Sequence, residues 1–292
     1  MTVAALTISA FAPGKIILMG EHAVVYGHPA IAMAVDRGMT VTLREHSGPT
    51  AVLKGQISDP RLDKALQTVL PADGVSVQIE SNLPIGRGMG SSAALAVALA
   101  RASLEWEGMP LTEQEVNTRA FAVERIFHGN PSGIDHTVSM GGGALMYRKG
   151  SAKPVYEPIK IPSLPVVVID SGTAGNTADM VQNVRQRFTA VEAYLNQIGE
   201  LVTATLPALT TGDLPAIGQA WHENHWLLKA IGVSNATLDE IVRVAENEGS
   251  YGAKLAGAGG GGVVIALSDE PNAIITAANA KGWQAFQIFS SP

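Results

Sequence analysis

The sequence predicts an α+β protein in two domains, and two observations carry that reading. Strand-like segments are interspersed with long runs of good helix formers. A stretch of scattered Pro, Gly and Ser, Lys149–Ser163, then separates a first part holding most of the strands from a second part that continues as a helical half. The expected division is residues 1–160 and 161–292. With 292 residues, 46% apolar and 16% charged, the chain can bury a sizeable core in one large or two modest domains.

Taken in order, Ala5–Ala10 alternates loosely as a strand, and a Pro13–Gly14 turn precedes the apolar strand Ile16–Met19. Ile31–Val35 and Met39–Arg44 continue as strands, Leu62–Leu70 as an amphipathic helix and Val75–Glu80 as a strand. Pro84 ends this segment. Gly86, Gly88 and Gly90 then permit positive φ, and Ser91 or Ser92 is expected to cap the helix Ser91–Glu107. Thr112-Glu-Gln-Glu115 has capping-box spacing for the helix Glu113–Phe127. That helix runs into His128-Gly-Asn-Pro-Ser-Gly-Ile-Asp-His136, whose turn formers hold Asp135 at the mouth of the next element. Met140–Gly143 reads as a tight turn and Ala144–Arg148 as a strand. Beyond the boundary come the strand Pro165–Asp170 and the polar turn Ser171–Thr177. Helices follow at about Thr177–Ile198, Glu200–Thr210, Leu214–Ala230 and Ala236–Glu248, broken at Gly199, Gly212 and Gly232. Strands Gly252–Leu255 and Gly262–Leu267 flank the run Gly257–Gly262, before a helix, Asn272–Ala280, and a last strand, Trp283–Phe289.

Composition narrows the function classes. Net charge is −6, from 20 basic and 26 acidic residues, which gives no electrostatic case for nucleic acid or an anionic membrane. An anionic substrate must be met by a few local donors. The lack of cysteine rules out disulfides, thiolate metal sites and a cysteine nucleophile, and fits a reducing cytoplasm. No basic flank precedes the first apolar residues, so no signal peptide is expected, and the apolar runs are shorter than a membrane span. A soluble, cytoplasmic protein is the expectation.

Three glycine-bearing segments carry the chemistry. Gly86–Ser92 joins a turn to a helix N-terminus, whose unpaired N–H groups and partial positive charge suit a phosphate. A serine hydroxyl there can ligate Mg²⁺. It is no Walker A loop, which needs G-x-x-x-x-G-K-[ST]. The run Gly257–Gly262 fits the dinucleotide fingerprint formally, yet strand-like Val263–Leu267 follows where a helix is required, so a Rossmann site is not expected. Lys15, Glu21 and His22 gather around one strand between glycines; taken singly, each also reads as an ordinary surface or loop residue. His222-Glu-Asn-His225 is not the H-E-x-x-H of zinc peptidases and reads as a structural or exposed face, with Trp221, Trp226 and Leu228 as packing.

Pro13-Gly-Lys15 with Gly20-Glu-His22, then Gly86–Ser92, then Lys254–Gly262 stand in the order of the GHMP kinase signatures, and the chain resembles that superfamily over nearly its full length. It is most similar to the mevalonate kinases in their compact archaeal and bacterial form. The shared stretches are APGKIILMGEHAVVYG at Ala12–Gly27, LPIGRGMGSSAA at Leu83–Ala94, ERIFHGNPSGID at Glu124–Asp135 and GAKLAGAGGGG at Gly252–Gly262. The resemblance implies the two-domain GHMP kinase fold, with a ribosomal-S5-domain-2-like N-terminal domain and a ferredoxin-like C-terminal domain. It implies ATP and Mg²⁺ as cofactors, mevalonate as the substrate converted to 5-phosphomevalonate in isoprenoid precursor synthesis, and a homodimer. By motif, Asp135 is the base or orienting carboxylate, and Lys15 stands near it and the transferring phosphate. Gly86, Arg87, Gly88, Met89, Gly90, Ser91 and Ser92, together with Ser81, serve the nucleotide. Ser92 and Glu124 hold the metal. Lys15, Glu21, His22 and Asp135 face the substrate, and Gly257, Gly259, Gly260 and Gly261 back the phosphate loop.

Elementary chemistry agrees with those roles. Phosphoryl transfer asks for positioning and charge neutralisation. An alcohol must lose its proton as the bond forms, which an aspartate can accept or orient, and a nearby lysine keeps that aspartate ionised. The chain departs from the family pattern at Arg87, Met89 and His136. Other readings stay open at this level. A sugar kinase is expected to carry an Asp near the first Glu-His, which Ala23-Val-Val25 does not supply. A mevalonate diphosphate decarboxylase is expected to carry more basic residues near the substrate phosphates, and Gly20-Glu-His22 argues against it, while a kinase acting on phosphomevalonate stays an alternative. A non-catalytic ATP-binding sensor is expected to have lost Lys15, Ser92, Glu124 or Asp135, and all four are present.

Overall fold

The structure, a computed structural model, describes residues 6–52, 59–128, 134–148 and 155–291. The chain divides into two compact units, one of Met1–Gly14, Arg37–Ile85 and Gly90–Gly142, the other of Lys15–Asp36, Gly86–Met89 and Gly143–Pro292. Two long strands, β1 (Thr7–Met19) and β2 (Ala30–Pro49), give residues to both.

In the first unit, β2 pairs antiparallel with β4 (Asp73–Ser81), Met39 opposite Ser81 and Glu45 opposite Val75, and the short β3 (Ala51–Val52) adds in parallel. The turn expected at Pro13–Gly14 is not formed, because β1 runs straight through it. Among the described strands β1 pairs with β2 alone, so its other side has no ladder to lose where proline lacks an N–H. Gly38 is needed where these strands touch: a Cβ there would lie 2.1 Å from the Ala12 carbonyl oxygen. The separate strands expected at Ile31–Val35 and Met39–Arg44 are likewise one strand.

Four helices complete this unit: α1 (Leu62–Val69), α2 (Ser91–Trp106), α3 (Glu113–His128) and α4 (Ile134–Gly141). Helix α2 is buried around almost its whole circumference between Ala93 and Leu104, as a helix surrounded by protein must be, and packs on α3 and α4. Neither serine caps it. Gly90, at φ +71°, is the N-cap residue, and the Ser92 hydroxyl is engaged elsewhere. The cap at Thr112 is as expected, its hydroxyl accepting the Glu115 N–H at 3.2 Å. The turn of residues 129–133 lies outside the described residues, and Asp135 sits in the first turn of α4.

In the second unit, β5 (Ala144–Arg148) pairs with Ala30–Met33 of β2, and β6 (Val155–Ile159) pairs with β5. Part of the stretch expected to mark the domain boundary is therefore a strand. A second, fully antiparallel sheet has the order β10-β7-β9-β8, from β7 (Val166–Asp170), β8 (Gly252–Ala256), β9 (Val263–Leu267) and β10 (Gln284–Ile288). Between β7 and β8 run α5 (Thr177–Gln186), α6 (Phe188–Thr211), α7 (Leu214–Ala230) and α8 (Ala236–Asn247), and α9 (Pro271–Ala280) joins β9 to β10. This is the β-α-β-β-α-β order expected of a ferredoxin-like half, with four helices in place of its first. Val167, Ile169, Leu255 and Val264 of the sheet bury against Leu195, Leu227, Ile241 and Ile274 of the helices. Gly212 and Gly232 end helices at positive φ, as expected. Gly199 does not: α6 passes through it, and the break falls at Arg187. Glycine stands there because a Cβ would lie 2.3 Å from the His28 ring. No helix among the described residues is long and apolar enough to cross a membrane.

Candidate active site

The phosphate-loop residues Gly86–Met89 belong to the second unit. Gly86 and Gly88 adopt φ of +72° and +83°, and a Cβ on Gly86 would meet nothing within 4 Å. Glycine serves here for backbone shape and an open face. Met89 is fully buried and anchors the loop from beneath, so its side chain is packing. Lys15 binds this loop twice: its N–H donates to the Met89 carbonyl at 2.9 Å, and its Nζ donates to the Gly88 carbonyl at 3.3 Å. Being only 4% exposed, its ammonium is held at the loop backbone. The Arg87 guanidinium turns aside, with Nε donating to Asp170 at 3.1 Å and an NH₂ group to the Gly172 carbonyl at 3.0 Å.

Glu21 and His22 follow β1, and both are turned onto the third glycine segment. Glu21 is 2% exposed; one carboxylate oxygen accepts from Lys254 Nζ and the other from Asn224 Nδ2 at 3.2 Å. Lys254 lies wholly inside, and burial lowers its pKa while the Glu21 carboxylate acts the other way. His22 stands at φ +60°, uncommon for a side chain of its size, and its Nε2 donates to the Ala258 carbonyl at 2.8 Å. Burial lowers its pKa and so favours the neutral ring, opposed by the Ala258 bond and the Glu21 charge. His225 backs the same strand, accepting the Leu255 N–H at 3.3 Å, and burial lowers its pKa too, against the pull of Asp239.

The third segment owes its glycines largely to packing. A Cβ on Gly259 would lie 2.1 Å from the Val233 carbonyl oxygen, and one on Gly261 2.8 Å from that of Thr173. Gly257 alone of the segment's expected residues has open space at its Cβ position, at φ +92°.

The other expected residues lie in the first unit. Ser81 closes the end of β4, its hydroxyl 3.1 Å from both the N–H and the carbonyl of Leu83. Gly90, Ser91 and Ser92 form the start of α2, whose first-turn N–H groups have no intrahelical acceptor. Ser92 Oγ lies 2.7 Å from His128 Nε2. Glu124 stands one turn before His128 on the same face of α3. Glu124 is 2% exposed and bound at 2.5 Å by His136 Nδ1, whose Nε2 lies 2.9 Å from Asn117 Oδ1. Thus His136, a departure from the family pattern, orients the carboxylate. Asp135, half-buried beside it in sequence, opens α4. Among the described residues no three acidic or histidine side chains cluster as a self-sufficient metal site. A hydroxyl and a carboxylate fit a hard cation that completes its shell with phosphate oxygens and water.

Sequence reasoning missed Lys254 and Asn224 as partners of Glu21, Asp170 as the partner of Arg87, and Asn117. Lys254 alone had a local signal, as a lysine inside an otherwise apolar strand just before the glycine run.

Residues 59–143 match the GHMP kinases N terminal domain and residues 205–282 the GHMP kinases C terminal domain. The chain is 34% identical to a mevalonate kinase of Thermococcus sibiricus, over 94% of this chain and 92% of that protein. It is 36% identical to one of Pyrococcus horikoshii, over 89% and 88%. Its fold is similar to the crystal structure of L. major mevalonate kinase in complex with R-mevalonate, with a TM-score of 0.91 and 31% identity, covering 100% of this chain and 98% of that one.

Proposed function

Since the chain belongs to the mevalonate kinase family of the GHMP kinases, we propose that it transfers the γ-phosphoryl group of ATP to the 5-hydroxyl of mevalonate. The products are 5-phosphomevalonate, ADP and a proton. The observation that carries this is the likeness, along the whole chain, to a mevalonate kinase in complex with R-mevalonate.

The roles are carried over from the family's motifs, and the chemistry of the residues supports them. The backbone of Gly86–Met89 and the α2 N-terminus receive the triphosphate, with Ser81 and Ser91 serving the nucleotide and Gly257, Gly259, Gly260 and Gly261 backing the loop. Lys15, already seated on the Gly88 carbonyl, supplies positive charge at the transferring phosphoryl group. Asp135 accepts or orients the hydroxyl proton as the O–P bond forms and the bond to ADP breaks. Ser92 and Glu124 would hold Mg²⁺, which would neutralise phosphate charge. His22 offers Nδ1 to the substrate, and Glu21 acts there by fixing the strand end that carries His22. In functional terms residues 1–160 hold the phosphate loop and catalytic aspartate, and residues 161–292 the third glycine segment. The reading includes a cytoplasmic homodimer, which light scattering of the purified protein tests.

The decisive experiment measures ADP release with Mg-ATP and, separately, mevalonate, phosphomevalonate, galactose and homoserine. Turnover is expected with mevalonate alone and falls at least about 10²-fold in Asp135→Ala, with ATP binding retained. Turnover with another alcohol discards the substrate assignment, and an unchanged kcat in the variant discards the role of Asp135.

A further inference from the structure

Arg87 lies within the loop that is to receive phosphate, yet its guanidinium is spent on protein. It donates to Asp170 Oδ2 at 3.1 Å and to the Gly172 carbonyl at 3.0 Å, while Asp170 Oδ1 accepts the Gly172 N–H at 2.9 Å. The pair is mostly screened from solvent, with side-chain exposures of 23% for Arg87 and 9% for Asp170. The turn it grips is itself fused to the third glycine segment. Ser171 N–H donates to the Gly262 carbonyl at 3.0 Å, and Gly262 N–H donates to the Thr173 carbonyl at 2.8 Å. A Cβ on Gly175 would lie 2.3 Å from the Gly259 carbonyl oxygen, and one on Gly262 3.0 Å from that of Arg87. Three chain segments of one unit, 86–89, 170–175 and 257–262, thus form a layer of backbone, and Arg87 is its side-chain fastening.

We propose that Arg87 is a positioning residue, which clamps the phosphate loop onto the 170–175 turn so that nucleotide binding at the loop and order in that turn are coupled. Its backbone serves the nucleotide; its guanidinium serves the clamp. A fork with two fixed acceptors holds a loop in one register, which a single point charge cannot do. The inference rests on the loop's proposed role in binding ATP.

The test uses Arg87→Ala, Arg87→Lys, Asp170→Asn and the Arg87→Ala/Asp170→Asn double variant of the full chain. Asparagine at 170 still accepts the Gly172 N–H, so that variant removes the ion pair and keeps the turn. Amide hydrogen exchange without ligand should speed up in both 86–89 and 170–175 in Arg87→Ala and in Asp170→Asn. Calorimetry with the Mg²⁺ complex of a non-hydrolysable ATP analogue should show each single variant weakened about tenfold, and the double variant no weaker than the worse single, as for two partners in one interaction. Arg87→Lys should fall between. Tighter nucleotide binding by Asp170→Asn would instead make Arg87 a phosphate ligand held back by Asp170, and additive losses would make the two residues independent. Either result overturns the clamp, as does unchanged exchange. If the unaltered protein binds no nucleotide, the kinase reading fails while the exchange comparison still decides the clamp.

Discussion

Glu21 and Lys254 face each other with almost no solvent access, and Asn224 takes the remaining carboxylate oxygen. Such a pair gains little over an apolar replacement, but removing one partner strands a buried charge at about 3–5 kcal/mol. Lys254→Met is therefore expected to lower unfolding stability by about that amount, and adding Glu21→Gln to recover most of it. Urea midpoints check both, and a harmless single variant would show that the carboxylate finds another partner. Recovery of stability without recovery of turnover would show that the pair also sets the pose of His22. At this scale lysine, glutamate and histidine between glycines singled out the first motif, and all three prove to be buried. Asn224 was not legible, since an asparagine between two histidines on a helix carries no local sign of a partner 203 positions away.

Among elements, glycine was the punctuation read most often, and its meaning depends on what lies opposite. Gly212, at φ +74°, does end α6. Gly199 sits mid-helix, where alanine ordinarily gains about 1 kcal/mol. Here the added methyl meets the His28 ring, which is also bound at 3.0 Å to Asn196. Overpacking of this kind costs about 1–3 kcal/mol, so Gly199→Ala should destabilise the protein on balance. A lowered melting temperature is the expected readout, and a raised one would show that the ring simply swings away. Helix spans such as α2, α3 and α7 were legible to within a residue or two from composition, and at α3 the Thr112 cap agrees with it. Pro13–Gly14 misled because an edge strand tolerates what a turn prefers.

For the molecule as a whole, an acidic chain that is to handle anionic ligands must concentrate its few positive elements, and the proposed Mg²⁺ would be one more. Glu124→Gln is expected to raise the Mg²⁺ concentration needed for activity about 10–100-fold. The mevalonate KM should change little, and a shift confined to that KM would remove Glu124 from the metal. The superfamily architecture was legible because its three glycine motifs keep their order along the chain. The sharing of β1 and β2 by both units was not, since pairings between distant segments leave no mark on local composition. The seam of main chain between residues 173–175 and 259–262 has one more consequence. With almost every atom there belonging to the backbone, evolution has little to vary in it without breaking the fold. New alcohol specificities are therefore expected at side chains away from the seam, and a library built to retool the enzyme should leave those glycines alone.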